Sequence, residues 1–172
     1  MELEEAIRSR RTHKQFDAKP LERAELEALL DLARWAPNHR LTNPWRFYVL
    51  GPESRARLEA GAERLQAGSS FKLRRAPTLV LVTTVTSGDQ NQDDEDRLAT
   101  GAAIYGLLLG AHARGLASFW NTPAVLTSPD GRAALGLADA EQPVGLVHLG
   151  RPHHTPVARE RAPLEEVVSF LD

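Results

Sequence analysis

The sequence predicts an α+β protein built around one hydrophobic core. Segments with helical periodicity and short β-branched segments are mixed along the chain, but they do not alternate strictly as they would in a doubly wound α/β fold. A length of 172 residues suits one core, and no repeat or long linker divides it. We therefore expect a single domain over residues 1–172.

The N-terminal half contains three predicted helices and two predicted strands. In the second helix, apolar residues recur at three- and four-residue intervals, and Pro37 prevents its continuation. The second strand is β-branched and almost wholly apolar, which is typical of a strand buried on both faces. The predicted helices are Leu3–Ser9, Glu22–Trp35 and Glu53–Gln66, and the predicted strands are Arg46–Leu50 and Thr78–Thr84.

The C-terminal half is dominated by a long apolar helix over Arg97–Arg114, which Gly115 ends. Because it is hydrophobic on nearly every side, we expect it to lie buried in the structure or in a subunit interface. Gly106 and Gly110 indicate close packing, which we assign to a second copy in a two-fold dimer. The other predictions are a mobile polar loop over Ser87–Asp96, strands over Leu116–Trp120 and Pro143–Leu149, a helix over Pro129–Leu135, and a helix or extended arm over Pro163–Leu171.

Composition excludes several classes of function. The net charge of -2 gives no reason to expect nucleic acid or an anionic membrane as a partner. The chain has no cysteine, which excludes disulfides, thiolate catalysis and iron–sulfur clusters. The N-terminus lacks a signal peptide's apolar region, and no apolar run reaches the ~18 residues of a spanning helix. We expect a cytoplasmic protein.

Metal chemistry is also not expected. His148, His153 and His154 lack a carboxylate at ligand spacing, and adjacent histidines do not easily bind one ion. The acidic run Asp93–Asp96 lacks the spacing and glycine of an EF-hand, and it is interpreted as a solvated run at a helix N-terminus. The sequence thus predicts no metal site.

A dense cation cluster follows the first predicted helix. Gly-x-Gly-x-x-Gly and P-loop motifs are absent, so side-chain cations would have to bind any phosphate. In an extended segment alternate residues face the same way, so Arg10, Thr12 and Lys14 would converge while Arg11 and His13 point elsewhere. The alternative is a solvated basic turn.

Six segments, in this order along the chain, resemble the nitroreductase family of flavoproteins, which hold FMN and pass hydride from NAD(P)H to an acceptor. The resemblance implies a nitroreductase-like α+β fold, with a central mixed, mostly antiparallel sheet surrounded by helices and a long buried central helix. The segments are Arg10–Phe16, Trp35–Trp45, Phe71–Pro77, Gly115–Thr122, Leu149–Pro152 and Ala158–Pro163.

The resemblance implies roles for the basic residues. Arg10 and Thr12, together with their neighbour Arg11, would hold the FMN phosphate end. Lys14 would lie near flavin N1 and O2, where a fixed cation stabilises the negative charge of reduced flavin. Arg159 and Arg161 stand where the family completes its phosphate clamp.

The loop after the second helix is a partial match to the family. Leu41 stands where the family often has Asn, and Asn43 stands for Gln. These departures resemble a subgroup in which the positions of Trp35 and His39 touch the cofactor. Alternatively, His39 caps a helix end. Trp45 is interpreted as core packing.

Four further residues would line the flavin. Lys72 would reach the ribityl chain, or it complements a helix C-terminus. Phe119, Trp120 and Asn121 would lie at the flavin's edge or exposed face, and the alternative for Phe119 and Trp120 is a strand end in the core.

The resemblance implies an FMN-dependent oxidoreductase that works by a ping-pong mechanism. NADH or NADPH would give hydride to flavin N5, and a nitroaromatic, quinone or similar small acceptor would then take it. No catalytic side chain is expected because the flavin carries the reaction. The family also implies a homodimer with FMN at the interface. Three alternatives remain: reduction of a different unsaturated substrate, a flavin-binding or storage protein without turnover, and a cofactor-free α+β domain.

Overall fold

A computed structural model of the chain describes residues 1–171. Its helices and strands follow the predicted order, and their ends differ from the predicted ones by a few residues except at the longest helix. The helices are α1 (Leu3–Ser9), α2 (Arg23–Ala33), α3 (Pro52–Leu65), α4 (Gln90–Ala113) and α5 (Pro129–Leu135). The strands are β1 (Trp45–Val49), β2 (Thr78–Val85), β3 (Ala117–Asn121) and β4 (Glu141–Gly150).

The four strands form one antiparallel sheet in the order β1-β2-β4-β3, so β2 and β4 lie at its centre. Side chains of β2 alternate between two cores, as strand geometry requires. Val80 and Val82 pack with α2 and α4, whereas Leu79 and Leu81 pack with α3. This arrangement confirms the predicted α+β fold. The expected parallel pairing is confined, within residues 1–171, to an isolated bridge between Thr12 and Ser118.

The prediction of a mobile loop over Ser87–Asp96 is wrong, because α4 begins at Gln90. The side chain of Asp89 caps the helix by accepting a hydrogen bond from the backbone N–H of Gln92 at 3.1 Å. Asp93 in the first turn accepts a bond from the backbone N–H of Ser87 at 2.6 Å. Carboxylates are favourable at a helix N-terminus because they satisfy unpaired N–H groups and face the positive end of the helix dipole.

Within one chain α4 is buried along one side and exposed along the other, so its place in a subunit interface stays a prediction. Ile104 and Leu107 are fully buried, but Leu98 is 77% exposed. The glycines also face a different neighbour from the one predicted. A Cβ at Gly110 would lie 2.8 Å from Leu32 Cδ1, and one at Gly106 would lie 3.9 Å from the Cα of Ala33. Both glycines therefore permit close packing of α4 on α2 within one chain.

The end of α4 is set by a local hydrogen-bonding motif, and the chain finishes in an exposed segment. Gly115 has a φ of 71°, and the N–H of Leu116 donates to the carbonyl of Ala111 at 2.9 Å, as in a Schellman motif. The last segment is an exposed arm, with one short turn at Leu164–Glu166. Among residues 1–171, no helix is both long and apolar enough to cross a membrane.

The α2–α4 contact predicts how substitutions at the two glycines will differ. Gly110→Leu should lower the free energy of unfolding by about 1–3 kcal/mol, because the new side chain overpacks the contact with Leu32. Gly106→Ala is the matched control, and it should be neutral or stabilising by up to about 1 kcal/mol because alanine favours the helix. Urea unfolding followed by circular dichroism measures both. Equal stability of the Gly110→Leu variant and the wild type would contradict the packing.

Candidate functional site

Five of the predicted basic residues meet in one cleft of about 580 Å³. The N-terminal cluster forms one wall and the C-terminal segment forms the other. Five of the lining side chains are cationic and none is a carboxylate, although the whole chain carries a small negative charge. The cleft is therefore suited to an anion. The predicted residues that line it are Arg10, Arg11, Thr12, Lys14, Arg159 and Arg161.

The N-terminal wall of the cleft is held by the sheet. After α1 the chain runs extended beside β3, where the N–H of His13 donates to the carbonyl of Ser118 at 3.0 Å. Further along, the N–H of Asp17 donates to the carbonyl of Arg151, just beyond β4, at 3.1 Å. The backbone of this segment is thus extended and fixed at two points.

The side chains from Arg10 to Lys14 alternate in direction only partly as predicted. His13 is buried, whereas Thr12 and Lys14 are exposed in the cleft. Arg11 was expected to point elsewhere, yet it also lines the cleft. Its Nη1 donates to the carbonyls of Arg8 and Arg10 at 2.7 and 2.8 Å, and these bonds hold the guanidinium close to its own backbone.

Arg10 supplies the clearest sign that the cleft needs a ligand. Its Nε is buried and has no hydrogen-bond partner among residues 1–171. A buried donor without an acceptor is costly, and an anion in the cleft would satisfy it once the guanidinium turned toward the cleft. The positive field is also evident at His112, whose pKa is lowered by burial and then by Arg10 and Arg11.

A second pocket of about 410 Å³ lies at the other end of β3, lined by Lys72 and Asn121 among others. Ser118, beside Thr12, and Asn121 are three residues apart, so β3 spans about 10 Å between the two clefts. Lys72 belongs to a short 3-10 helix over Ser70–Arg74 and is exposed. The pocket therefore combines one cation with two amides, those of Gln66 and Asn121.

The amide of Asn121 is oriented by His148. His148 Nε2 lies 3.1 Å from Asn121 Oδ1, so the ring N–H donates and the amide NH₂ is left for the pocket. His148 is fully buried, and its ring centroid is 5.1 Å from that of Phe119. Burial, reinforced by Arg75 and Arg55, lowers the pKa of His148 to about 4. The ring is thus neutral at neutral pH.

The three predicted residues of β3 do not share one face. Phe119 and Asn121 lie on the His148 side of the sheet. Trp120 lies on the α4 side, where its indole covers Gly145 so closely that a Cβ there would collide with it. At 38% exposure Trp120 is accessible from the surface.

His39 and Trp35 lie apart from both clefts. His39 lines a third cleft of about 320 Å³ with Glu95, and Trp35 is 74% exposed. Glu95 and Tyr105, which contact His39 and Arg10 respectively, are ten residues apart on α4, or about 15 Å. One chain therefore does not bring His39 to the cation-lined cleft. Trp45, by contrast, packs in the core with Ala99 and Ala103, as expected.

The loop that carries His39 has an unusual backbone. Arg40, Leu41 and Asn43 have φ values of 56°, 54° and 47°, in the left-handed region that disfavours residues other than glycine. Such residues cost about 1–3 kcal/mol each and persist only where surrounding contacts fix them. Here the Thr42 hydroxyl donates to buried Asp96 Oδ1 at 2.6 Å.

Sequence reasoning missed the residues that fix this loop. Glu95 and Asp96 contact His39 and Thr42, but both fell in the segment predicted as mobile. The signal that could have identified them is Asp89, a favourable N-cap seven residues before Asp96. With the helix started there, both carboxylates belong to its second turn.

The fold and the cation-lined cleft place the protein in a known class. The sequence profile of the Nitroreductase family matches residues 7–151, and the chain belongs to this family. YfhC of Bacillus subtilis, provisionally named an NAD(P)H nitroreductase, is 31% identical over an alignment that covers 95% of this chain and 91% of that protein.

Solved structures show the same fold. A nitroreductase-like family protein from Bacillus cereus superposes with a TM-score of 0.91 at 28% identity, covering 100% of this chain and 97% of that one. A nitroreductase-family protein from Desulfovibrio desulfuricans, solved in complex with FMN, superposes with a TM-score of 0.83 at 24% identity, covering 98% of this chain and 95% of that one.

Burial of His148 predicts a dependence of stability on pH. Its pKa is about 4 when folded and about 6.5 when unfolded, so between these values only the unfolded chain binds the proton. Stability should therefore fall as the pH drops from 6.5 to 4, by about 3 kcal/mol from this group. His148→Gln should flatten this part of the profile, measured by urea unfolding across the range. His153→Gln, at an exposed site, should leave the profile unchanged. If the His148→Gln variant kept the slope of the wild type, the pH dependence would not come from His148.

Proposed function

We propose that this chain is one FMN-binding domain and an oxidoreductase that passes hydride from NADH or NADPH to a small acceptor such as a nitroaromatic or a quinone. The observation that carries the proposal is the cation-lined cleft, in which the buried Nε of Arg10 has no partner among the described residues. The provisional name of the Bacillus subtilis relative, an NAD(P)H nitroreductase, agrees with it.

The residues of the two clefts suit FMN. Arg10 and Thr12, with Arg11, Arg159 and Arg161 around them, would hold the phosphate through charge-assisted hydrogen bonds. Lys14 would lie at the N1–O2 edge and stabilise the charge of the reduced ring. Lys72 and the amide NH₂ of Asn121 would contact the cofactor from the second pocket.

When bound, FMN supplies the hydride-accepting atom N5, so the chain does not need a catalytic base for hydride transfer. Its own groups bind, orient and exclude water. Phe119 lies on the same face of β3 as Asn121, and Trp120 lies on the α4 side of that strand. The nicotinamide and the acceptor would occupy one position in turn, which is a ping-pong mechanism.

We further propose a homodimer that completes the site. The exposed side of α4 carries Leu98, Ala102 and Tyr105, spaced as one helix face between the His39 end and the Arg10 end. A two-fold axis perpendicular to α4 sets two copies antiparallel, so the Arg10 end of one copy meets the His39 end of the other. This arrangement would bring His39 and Trp35 to the cofactor, which one chain alone does not do.

Arg10→Ala tests the cofactor site. Loss of one charge-assisted contact costs about 1.5–3 kcal/mol, so affinity for FMN should fall about 10- to 150-fold. Arg8→Ala is the matched control, because Arg8 is an exposed cation outside the cleft. Titration of flavin fluorescence measures both affinities. Equal losses in the two variants would remove Arg10 from the site.

Turnover is tested by adding NADH or NADPH without oxygen to the purified, FMN-loaded protein. The flavin absorbance should bleach and then recover on addition of a quinone or nitroaromatic. A flavin-binding protein without turnover would be yellow but would not bleach. A protein that does not take up FMN, or that releases FAD on heating, would overturn the proposal.

Ala102→Arg tests the dimer. Ala102 is exposed in the middle of the α4 face, and a charge there should separate the two copies and weaken FMN retention together. Ala56→Arg, on an exposed position of α3, is the matched control and should change neither. Sedimentation read at protein and flavin wavelengths measures both properties. A wild-type monomer with one FMN per chain would refute the arrangement.

A further inference from the structure

His39 and Glu95 form a pair that joins the loop to α4 across 56 residues of sequence. His39 Nδ1 lies 2.5 Å from Glu95 Oε2, and the two side chains are 54% and 50% exposed. A carboxylate only accepts hydrogen bonds, so Nδ1 carries the hydrogen. Among residues 1–171, the other ring nitrogen, Nε2, has no hydrogen-bond partner.

The loop around His39 is held in place by a second carboxylate. Asp96, the residue after Glu95, accepts the Thr42 hydroxyl and also the amide of Gln92, at 2.6 and 3.1 Å. Glu95 and Asp96, adjacent on α4, thus hold the loop at two points, through His39 and Thr42. Backbone strain that is fixed in this way is typical of a functional segment, in which a side chain must face one direction.

His39 is exposed at the end of the α4 face that leads to Arg10. This location and the orientation of its ring suit a proton donor, because Nε2 can reach both a small molecule and water. The chemistry requires such a donor: hydride transfer to a quinone adds two electrons and one hydrogen, and a hydroquinone needs one proton more.

We propose that His39 donates this proton and that Glu95 is its positioning residue. The inference rests on the proposed function. The quinone receives hydride that originates in NAD(P)H, the Nε2–H bond of the His39 imidazolium breaks, and an O–H bond forms on the quinone. Neutral imidazole remains, and water returns its proton. Glu95 stays ionised throughout, keeps the hydrogen on Nδ1 and balances the charge of the imidazolium.

The test compares two acceptors in the FMN-loaded protein after reduction by NADH. A benzoquinone needs the proton, whereas ferricyanide takes single electrons and needs none. His39→Gln should slow quinone reduction about 10²- to 10⁴-fold, the usual contribution of a general acid. Ferricyanide reduction and the preceding reduction by NADH should fall much less, because neither step takes this proton, so the ratio of the quinone rate to the ferricyanide rate should drop by this factor. Equal loss with both acceptors, or no loss with the quinone, would overturn the role of His39.

The positioning role of Glu95 is tested by measuring both the tautomer of the His39 ring and the rate of quinone reduction. Glu95→Gln retains an acceptor for Nδ1, so the neutral ring should keep its Nδ1–H tautomer in ¹⁵N NMR, whereas Glu95→Ala should shift it toward Nε2–H and slow quinone reduction. Asp94→Ala is the matched control, because among residues 1–171 the side chain of Asp94 accepts only a local bond from Gln90, at 2.9 Å. An Nε2–H tautomer in the wild type would refute the positioning role. Failure of NADH to reduce bound flavin would instead refute the proposed function.

Discussion

The pairing of β2 with β4 is the interaction on which the rest of the structure depends. The two strands pair from Thr78 opposite Leu149 to Val85 opposite Glu141, and their side chains divide the interior into two cores. Because β4 also pairs with β3, this contact fixes the strand that supports the cation cluster at Ser118 and ends at Asn121. Both candidate cofactor clefts are therefore anchored to the most buried hydrogen bonds of the sheet.

Much of the fold could be predicted because its signals are local. The Pro129–Leu135 helix begins at a proline and ends before a glycine, and the β-branched run of β2 marks a strand buried on both faces. The start of α4 could not be predicted from hydropathy, because its first turns are polar and are stabilised by capping and charge. Likewise, an apolar helix does not reveal which of its sides has a partner, and α4 leaves one side open.

Some residues of the candidate site could likewise be predicted from the sequence, and others could not. The residues of the cation cluster are neighbours in sequence, so their convergence could be predicted from spacing, apart from Arg11. His39 presents a different problem, because its loop adopts left-handed φ values without a single glycine to signal them. Its contacts with Glu95 and Asp96 are long-range, and no periodicity records them.

α4 sets the distance between His39 and Arg10 within one chain, since it carries the residues that contact both of them. The distance between them is set by a count of residues in one helix, with a rise of about 1.5 Å and a turn of about 100° for each. Inserting one residue between Glu95 and Tyr105 would rotate one group away from the shared face, while a full turn would restore the direction but move His39 and Arg10 of one chain about 5.4 Å further apart. In this segment, a substitution of an exposed side chain would therefore disturb the spacing far less than an insertion or a deletion.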